Sequence, residues 1–418
     1  MKHLLIALIA GGVSATGFAP LGLWPLTLAA FALLIAMTLN VERMRSAFAI
    51  GFAFGLGHFA VGLNWIAMAF TFQSAMPAWL GWIAILITAL YLAPFVGAAT
   101  ALAWRIGKGE PLTFILLFAA AWIITEYLRA TILFSFGWNP LATITMAQME
   151  GAQLALPAVT RIIGTYGLSA IIVLASGALL LAYRREWRSS LVAAGLPILA
   201  TLAGFALLKL SAPAAPSYVE ANNDRAAPAI RIIQPNIDQS QKWDPDFERR
   251  NFARLVERTG ETGDRPRLIF WPEAAVPQFI EQEPVARFLI AELLGPDDML
   301  MLGATKLEIE TDENGRRRAV GARNALYAMT AEGELIGRYD KAHLVPYGEY
   351  LPMRPLLESI GLSRLAPGDL DFWPGPGAQT INVGNFGTAG GQICYEIIFS
   401  GEVIDSANRP DFIFNPSN

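Results

Sequence analysis

The first half of the chain is a series of apolar runs, each close to the roughly 20 residues that an α-helix needs to cross a bilayer core of about 30 Å. This pattern predicts a polytopic membrane domain. The first run follows Lys2 and has the length of a signal peptide, but no soluble domain comes directly after it, so we count it as a span. The predicted spans are residues 4–18, 24–39, 46–70, 78–104, 112–133, 162–183 and 191–210.

The composition of the whole chain agrees with a membrane protein. Hydrophobic residues make up 54% of the 418 residues and charged residues only 16%, whereas soluble domains have about 45–50% and about 25%. The net charge is −4 without a long basic run, so we expect no nucleic-acid partner. With three histidines and no Gly-Lys-Ser/Thr phosphate loop, we expect neither a metal nor a nucleotide cofactor.

Positive charges lie in alternate loops of the first half. Because cytoplasmic loops of membrane proteins are enriched in Lys and Arg, the amino terminus is predicted to be cytoplasmic. After seven spans, the rest of the chain would lie on the opposite side of the membrane. The cations that support this orientation are Lys2, Arg43, Arg45, Arg105, Lys108, Arg184, Arg185 and Arg188.

One predicted span contains two charged residues, Glu126 and Arg129. Side chains three positions apart meet on one helix face, and unpaired charge is costly inside a membrane. We therefore favour a structural ion pair over a ligand site. The loop that follows, residues 134–161, is half apolar and is predicted to lie at the membrane surface.

The composition changes sharply after residue 210. Residues 211–228 begin with a Pro/Ala-rich stretch and are predicted to be a linker. Beyond them, short β-prone runs alternate with amphipathic helices near residues 244–259 and 284–294. The predicted domains are therefore a membrane domain of residues 1–210 and an α/β layered domain of residues 229–418.

Three polar residues follow predicted strands of the second domain: Glu273, Lys341 and Cys394. Strand ends at one edge of a sheet meet in space however far apart they are in sequence. Together they would form an activated nucleophile, because the carboxylate accepts the thiol proton and the ammonium favours thiolate and oxyanion. Taken singly, each has an ordinary structural interpretation, such as a cysteine packed as a small hydrophobe.

Three motifs contain these residues: Trp271-Pro-Glu273, Asp340-Lys-Ala-His-Leu-Val-Pro-Tyr-Gly-Glu-Tyr350 and Gly391-Gln-Ile-Cys394-Tyr-Glu396. They resemble the Glu–Lys–Cys signatures of the nitrilase superfamily. Combined with the polytopic first half, which amidases of that superfamily lack, the chain is similar to the apolipoprotein N-acyltransferases. The resemblance implies a polytopic α-helical membrane domain followed by an α/β nitrilase-like αββα sandwich.

The resemblance also implies roles for single residues. Cys394 would be the nucleophile that carries an acyl chain as a thioester, and Glu273 would be the general base. Lys341 would stabilise the tetrahedral intermediate together with the backbone N–H of Tyr395. Substrate-binding or supporting roles are implied for Trp243, Glu349, Tyr395 and Glu396.

Substrates and location follow from the same resemblance. The implied donor is a phospholipid, usually phosphatidylethanolamine, which loses its sn-1 acyl chain. The implied acceptor is the N-terminal amine of a diacylglyceryl-cysteine on a bacterial apolipoprotein, so that the reaction completes lipoprotein maturation. The implied location is the inner membrane, with the second domain on the periplasmic side. Family members continue beyond the strand near residues 412–415, so the chain is expected to be short at its C-terminus.

Two other functions fit parts of the pattern. A membrane-anchored amidase would use the same three residues with water as the acceptor, although one span suffices for an anchor. A transporter or receptor would make the second domain an inert sensor, although few charges lie inside the predicted spans. Within the enzyme hypothesis, His343 is an alternative base because it lies two residues from Lys341.

Overall fold

The computed structural model describes residues 1–71, 77–132, 135–146, 155–210, 228–238, 245–351, 354–359 and 370–417. These residues form two compact units, one before position 211 and one after position 227. The predicted linker lies outside the described residues except for Pro228.

The first unit is helical. Five of its helices, α3, α5, α6, α8 and α9 in the list below, are long and apolar enough to cross a membrane. The first two predicted spans fold as helices of 13 and 16 residues, which are shorter than the roughly 20 residues needed to cross a bilayer core. Pro20 and Gly22 lie in the turn between them. The helices of this unit are α1 (Lys2–Ser14), α2 (Trp24–Leu39), α3 (Met44–Gly62), α4 (Ile66–Ala69), α5 (Leu80–Gly107), α6 (Pro111–Thr131), α7 (Ala155–Ala158), α8 (Thr160–Tyr183) and α9 (Trp187–Leu210).

Helices α1 and α3 approach each other closely at two glycines. A Cβ atom on Gly11 would lie 1.9 Å from the carbonyl oxygen of Phe54, and one on Gly57 would lie 2.0 Å from that of Leu8. Small residues at helix interfaces allow backbones to pack tightly in membranes, where dispersion contacts drive helix association. These two positions therefore require glycine.

The charged residues of α6 are buried and paired. Arg129 Nη2 lies 3.8 Å from Glu126 Oε1, and each side chain is 3% exposed. Arg129 donates a hydrogen bond of 2.6 Å to the carbonyl of Trp138, and Glu126 Oε1 accepts one of 2.8 Å from the backbone N–H of Leu141. The pair thus binds the backbone of the segment that follows α6, at Trp138 and Leu141. These contacts are those of a structural ion pair.

The described residues of the second unit form two sheets and three α-helices. In the first sheet, β2 pairs in parallel with β1 and with β3, whereas β4 pairs antiparallel with β3 and with β5. In the second sheet, β7 lies between antiparallel β6 and parallel β8. The elements are β1 (Ala229–Ile232), α10 (Pro245–Thr259), β2 (Arg267–Phe270), α11 (Pro284–Ala291), β3 (Met299–Thr311), β4 (Arg317–Thr330), β5 (Leu335–Asp340), α12 (Arg354–Ser359), β6 (Thr380–Asn382), β7 (Thr388–Gly391) and β8 (Phe412–Phe414).

The central part of the first sheet, around β2 and the inner half of β3, is buried on both faces. One face packs side chains such as Ile269 against Leu255 of α10 and Ile290 of α11. The other face packs side chains such as Met301 against Ile381 of the second sheet. The result is a helix–sheet–sheet sandwich, and the predicted fold class, a helical membrane domain followed by an α/β sandwich, is confirmed.

Strands β3 and β4, with 13 and 14 residues, are much longer than the short β-prone runs that the sequence predicts. The added residues form a long hairpin whose side chains are charged. Glu308 pairs with Lys306 at 2.8 Å and also with Arg323 on the neighbouring strand. Cross-strand ion pairs stabilise exposed antiparallel strands without the apolar alternation used to predict them.

Candidate active site

Glu273 lies just after β2, where the chain continues alongside β3. The backbone N–H of Trp271 donates to the carbonyl of Met301, and that of Ala275 donates to the carbonyl of Gly303, both at 2.8 Å. A Cβ atom on Gly303 would lie 2.8 Å from the Cα of Glu273. Glycine at position 303 therefore allows the Glu273 backbone to cross the sheet edge.

Lys341 follows β5 and has a buried side chain that is 1% exposed. Its backbone N–H donates a 2.9 Å hydrogen bond to the carbonyl of Asn324 on β4, which continues the strand pairing by one residue. The ammonium Nζ lies 3.0 Å from Glu349 Oε1 and 3.8 Å from Glu273 Oε1. The single ammonium is thus shared by two carboxylates.

Glu349 is oriented by its own loop. Its Oε2 accepts a 2.8 Å hydrogen bond from the backbone N–H of Val345, while its Oε1 faces Lys341. Its backbone carbonyl accepts a bond of 3.0 Å from the N–H of Phe372. Glu349 therefore fixes the position of the lysine, and its own side chain is only 12% exposed.

Cys394 follows β7 and is the first residue of a short 3₁₀ helix, Cys394–Ile398. Its φ of 57° is in the left-handed region, which costs a side-chain-bearing residue free energy and is often found at functional positions. The backbone N–H of Cys394 donates to the carbonyl of Pro416 at 2.8 Å, and its carbonyl accepts from Asn415 Nδ2 at 2.9 Å. Residues that follow β8 thus hold the cysteine in this conformation.

Glu396 connects the cysteine segment to the lysine segment. Its Oε2 accepts from the backbone N–H of Ile393 at 2.8 Å, and its Oε1 accepts from the N–H groups of Ala342 and His343 at 2.7 and 2.9 Å. The hydroxyl of Tyr339 donates to the same oxygen at 3.0 Å. Burial raises the pKa of Glu396, although these hydrogen bonds oppose the shift. The carboxylate acts as a fixed bridge between two loops.

Tyr395 contacts both the nucleophile and the lysine. Its hydroxyl donates a 2.8 Å hydrogen bond to the carbonyl of Leu344, and its ring centroid lies 5.4 Å from Lys341 Nζ. Its backbone N–H donates a hydrogen bond to the Cys394 thiol. An N–H at this position can also reach an oxyanion that forms beside the sulfur.

The charges around Cys394 keep its thiol protonated. Burial, followed by the negative charge of Glu273, raises the pKa of Cys394 to about 11, although the Lys341 ammonium opposes the shift. Burial alone would lower the pKa of Lys341, but the carboxylates of Glu349 and Glu273 outweigh it and raise that pKa. At neutral pH the site therefore holds a thiol and an ammonium, and a base has to remove the thiol proton during attack.

The structure brings together six of the seven residues predicted for the site: Glu273, Lys341, Glu349, Cys394, Tyr395 and Glu396. Trp243 lies outside the described residues. The alternative base, His343, contacts Glu402 through Nε2 at 2.7 Å and stacks on the ring of Phe399. Within the described ranges, no group of three or more His, Cys, Asp and Glu side chains has the arrangement of a metal site.

One residue of the site was missed in the sequence. Asn324 Nδ2 donates hydrogen bonds to Glu273 Oε1 at 2.8 Å and to Glu349 Oε1 at 3.0 Å. The available signal was an asparagine at the start of an apolar β-prone run, where an amide needs buried partners.

The helix–sheet–sheet sandwich, with glutamate, lysine and cysteine at one edge, defines a domain of the nitrilase, or carbon-nitrogen hydrolase, class. A family profile described as "Carbon-nitrogen hydrolase" matches residues 229–417, and one described as "Apolipoprotein N-acyltransferase N-terminal domain" matches residues 10–178.

Curated relatives define the family more narrowly. The apolipoprotein N-acyltransferase of Rhodopseudomonas palustris is 32% identical over 435 residues, and that of Agrobacterium fabrum is 31% identical over 438 residues. In both cases the alignment covers 100% of this chain and 78% of the relative. The chain belongs to the apolipoprotein N-acyltransferase family and is an acyltransferase, as its motifs predicted.

Proposed function

We propose that the protein transfers the sn-1 acyl chain of a phospholipid, through a thioester on Cys394, to the N-terminal amine of a diacylglyceryl-cysteine on an apolipoprotein. The observation that carries this proposal is the cluster after β2, β5 and β7, in which Lys341 Nζ lies 3.8 Å from Glu273 Oε1 and 5.4 Å from the ring centroid of Tyr395, the residue that follows Cys394. A nucleophile, a base and a cation in one cluster are the parts that acyl transfer requires.

The first half-reaction forms the thioester. Glu273 removes the proton of the Cys394 thiol while the sulfur attacks the ester carbonyl carbon of the phospholipid. The carbonyl π electrons move to oxygen and form an oxyanion. Collapse of this intermediate breaks the bond between the acyl carbon and the glycerol oxygen, and Glu273 returns its proton to that oxygen. The products are a lysophospholipid and acylated Cys394.

Lys341 and the backbone N–H of Tyr395 stabilise the oxyanion. Lys341 is charged before the reaction and is held by Glu349, so no large reorganisation is needed when the negative charge develops. Glu349 and Glu396 support this arrangement through their backbone contacts. Trp243 would contact substrate, as its motif implies.

The second half-reaction forms the amide. The neutral amine of the apolipoprotein attacks the thioester carbonyl carbon, and the C–S bond breaks when the intermediate collapses. Glu273 accepts a proton from the amine nitrogen and transfers it to the sulfur, which regenerates the thiol. Storing the acyl group on sulfur allows two lipid substrates to use one site in turn, so ping-pong kinetics are expected.

The location proposed is the bacterial inner membrane, with the α/β domain on the periplasmic side. Cations in alternate loops of the first half favour this orientation. The donor proposed is phosphatidylethanolamine, and the similarity to apolipoprotein N-acyltransferases supports an apolipoprotein acceptor.

A product assay tests this function against the amidase alternative. The purified protein is incubated with labelled phosphatidylethanolamine and a diacylglyceryl-cysteine peptide, and amide product and free fatty acid are measured separately. We expect amide product from the wild type and none from Cys394→Ala. Free fatty acid without amide would instead indicate hydrolysis, and activity that survives in Cys394→Ala would refute the thioester.

A pair of substitutions separates the roles of Lys341 and His343. His343 is occupied by Glu402 and Phe399, so His343→Ala should retain thioester formation. Lys341→Ala should abolish it because the oxyanion loses its cation. The reverse pattern would make His343 the base.

A further inference from the structure

Asn324 lies in the site although it belongs to none of the three motifs. Its side chain extends from β4 opposite Lys341, and the residue is only 8% exposed. Its backbone carbonyl accepts the N–H of Lys341 at 2.9 Å. Its amide Nδ2 donates to Glu273 Oε1 at 2.8 Å and to Glu349 Oε1 at 3.0 Å.

The chemistry of the partners fixes the orientation of this amide. Nitrogen and oxygen of an asparagine look alike in most structures and are assigned from their hydrogen bonds. Both groups that face Asn324 are carboxylate oxygens, which only accept hydrogen bonds when ionised. The nitrogen must therefore face them, and each of its two hydrogens has a separate acceptor.

Asn324 and Lys341 are each nearer to a different one of the two carboxylates, Glu273 and Glu349. Lys341 Nζ is nearer to Glu349 Oε1, at 3.0 Å, than to Glu273 Oε1, at 3.8 Å. Of these two donors, Asn324 is the nearer to Glu273, at 2.8 Å. Loss of the amide would leave the Lys341–Glu349 pair in place but would remove the 2.8 Å hydrogen bond that Glu273 Oε1 accepts.

We propose that Asn324 is a positioning residue for acyl transfer, which holds the carboxylate of Glu273 in the orientation that accepts the Cys394 proton. This inference rests on the proposed function, because it takes Glu273 as the base. An asparagine that served only to stabilise β4 would affect the folded fraction of the protein but not the chemistry of the folded molecules.

Two substitutions of similar size test the proposal. Asn324→Leu removes both donors without adding charge, and Asn324→Asp keeps the shape but replaces the donors with a third carboxylate. The same changes at Asn314, an exposed residue in the β3–β4 turn, serve as matched controls. Because Cys394 is the only cysteine, its alkylation by iodoacetamide can be followed by intact mass across a range of pH.

For Asn324→Leu we expect kcat for acyl transfer, per folded molecule, to fall about 10- to 100-fold, as for the loss of a hydrogen bond to a charged group. KM for both substrates should stay close to the wild-type value. For Asn324→Asp we expect an additional shift of the alkylation profile to higher pH, because another negative charge disfavours the thiolate. Both Asn314 variants should match the wild type.

Two results would overturn the proposal: wild-type kcat in Asn324→Leu, or an unshifted alkylation profile in Asn324→Asp. If Asn324→Leu does not fold, Asn324→Ser carries the same test, since it retains one shorter donor and should have intermediate kcat. Alkylation of Cys394 does not require acyl transfer. The alkylation profile therefore shows whether residue 324 affects the ionisation of Cys394 even if the product assay with Cys394→Ala refutes the proposed function.

Discussion

The charge around Cys394 works against a preformed thiolate. With a pKa of about 11, only about one thiol in a thousand is ionised at pH 8. Glu273 contributes to that shift, and the same carboxylate is the group proposed to take the proton. The site thus keeps the thiol inactive until a substrate carbonyl can accept the electron pair from sulfur.

Replacing Glu273 should make the Cys394 thiol more acidic but acyl transfer slower. In Glu273→Gln a negative charge near the sulfur is lost, so the pKa of Cys394 should fall and alkylation should reach its midpoint at lower pH. Acyl transfer should nevertheless decrease by about 10²–10⁴-fold because no base remains. Alkylation profiles and transfer rates measured on the same samples test this, with exposed Glu332→Gln as the control. A more active variant would exclude Glu273 as the base.

Replacing Lys341 should change the pKa of the Cys394 thiol in the opposite direction. In Lys341→Met the ammonium that favours the thiolate is removed, so the pKa of Cys394 should rise further and alkylation should slow at every pH below the new midpoint. Acyl transfer should also fall, by about 10²–10³-fold, since the oxyanion loses a donor. An alkylation profile that moves to lower pH would show that Lys341 does not act on the thiol.

At the scale of elements, the site depends on strand ends and on the loops that cross them. Glu273 follows β2, Lys341 follows β5, and Cys394 follows β7 of the other sheet. Glu396 then joins the last two loops through backbone hydrogen bonds. These contacts make the geometry of the site a property of the sandwich rather than of one loop.

Gly303→Ala should damage the site through the backbone. The added Cβ would lie 2.8 Å from the Cα of Glu273 and 2.7 Å from the N of Ala274, so the Glu273 segment has to shift. We expect destabilisation of about 1–3 kcal/mol and a loss of transfer activity, measured by thermal unfolding and by the product assay. Gly263→Ala is the matched control, because a Cβ atom there has open space. Equal behaviour of the two variants would contradict this packing argument.

The β-prone runs of the sequence end at Trp271, Asp340 and Ile393, within two residues of the observed strand ends at Phe270, Asp340 and Gly391. The position of Glu273, Lys341 and Cys394 directly after these runs, together with the resemblance of their motifs to the nitrilase superfamily, pointed to the site. The role of Asn324 could not be predicted in this way, since it depends on the register that pairs Ala325 with Asp340. The long β3–β4 hairpin was also underestimated, because ion pairs rather than apolar alternation stabilise its outer half.

At the scale of the whole molecule, one chain combines an apolar helical unit with a catalytic α/β unit. Each unit has its own core, and the helical unit buries charge as well as apolar groups. Lipid substrates make this combination useful, because both proposed substrates reside in a bilayer. The five long apolar helices exceed what an anchor requires.

The buried pair in α6 gives a prediction for the helical unit. Glu126→Gln or Arg129→Gln alone leaves an uncompensated buried charge, which costs about 3–5 kcal/mol. The double variant removes both charges and should lose less than the sum of the single changes. Thermal unfolding in detergent measures this, with exposed Arg105→Gln as the control. Additive losses would mean that the two residues do not act as a pair.

Intact mass spectrometry can show whether Cys394 carries the acyl chain. The purified protein is incubated with phosphatidylethanolamine in the absence of an acceptor, and its intact mass is then measured. We expect a mass gain of one acyl group on Cys394, which hydroxylamine reverses and which is absent from Glu273→Gln. No adduct under these conditions, or an equal adduct on Cys394→Ala, would contradict the account.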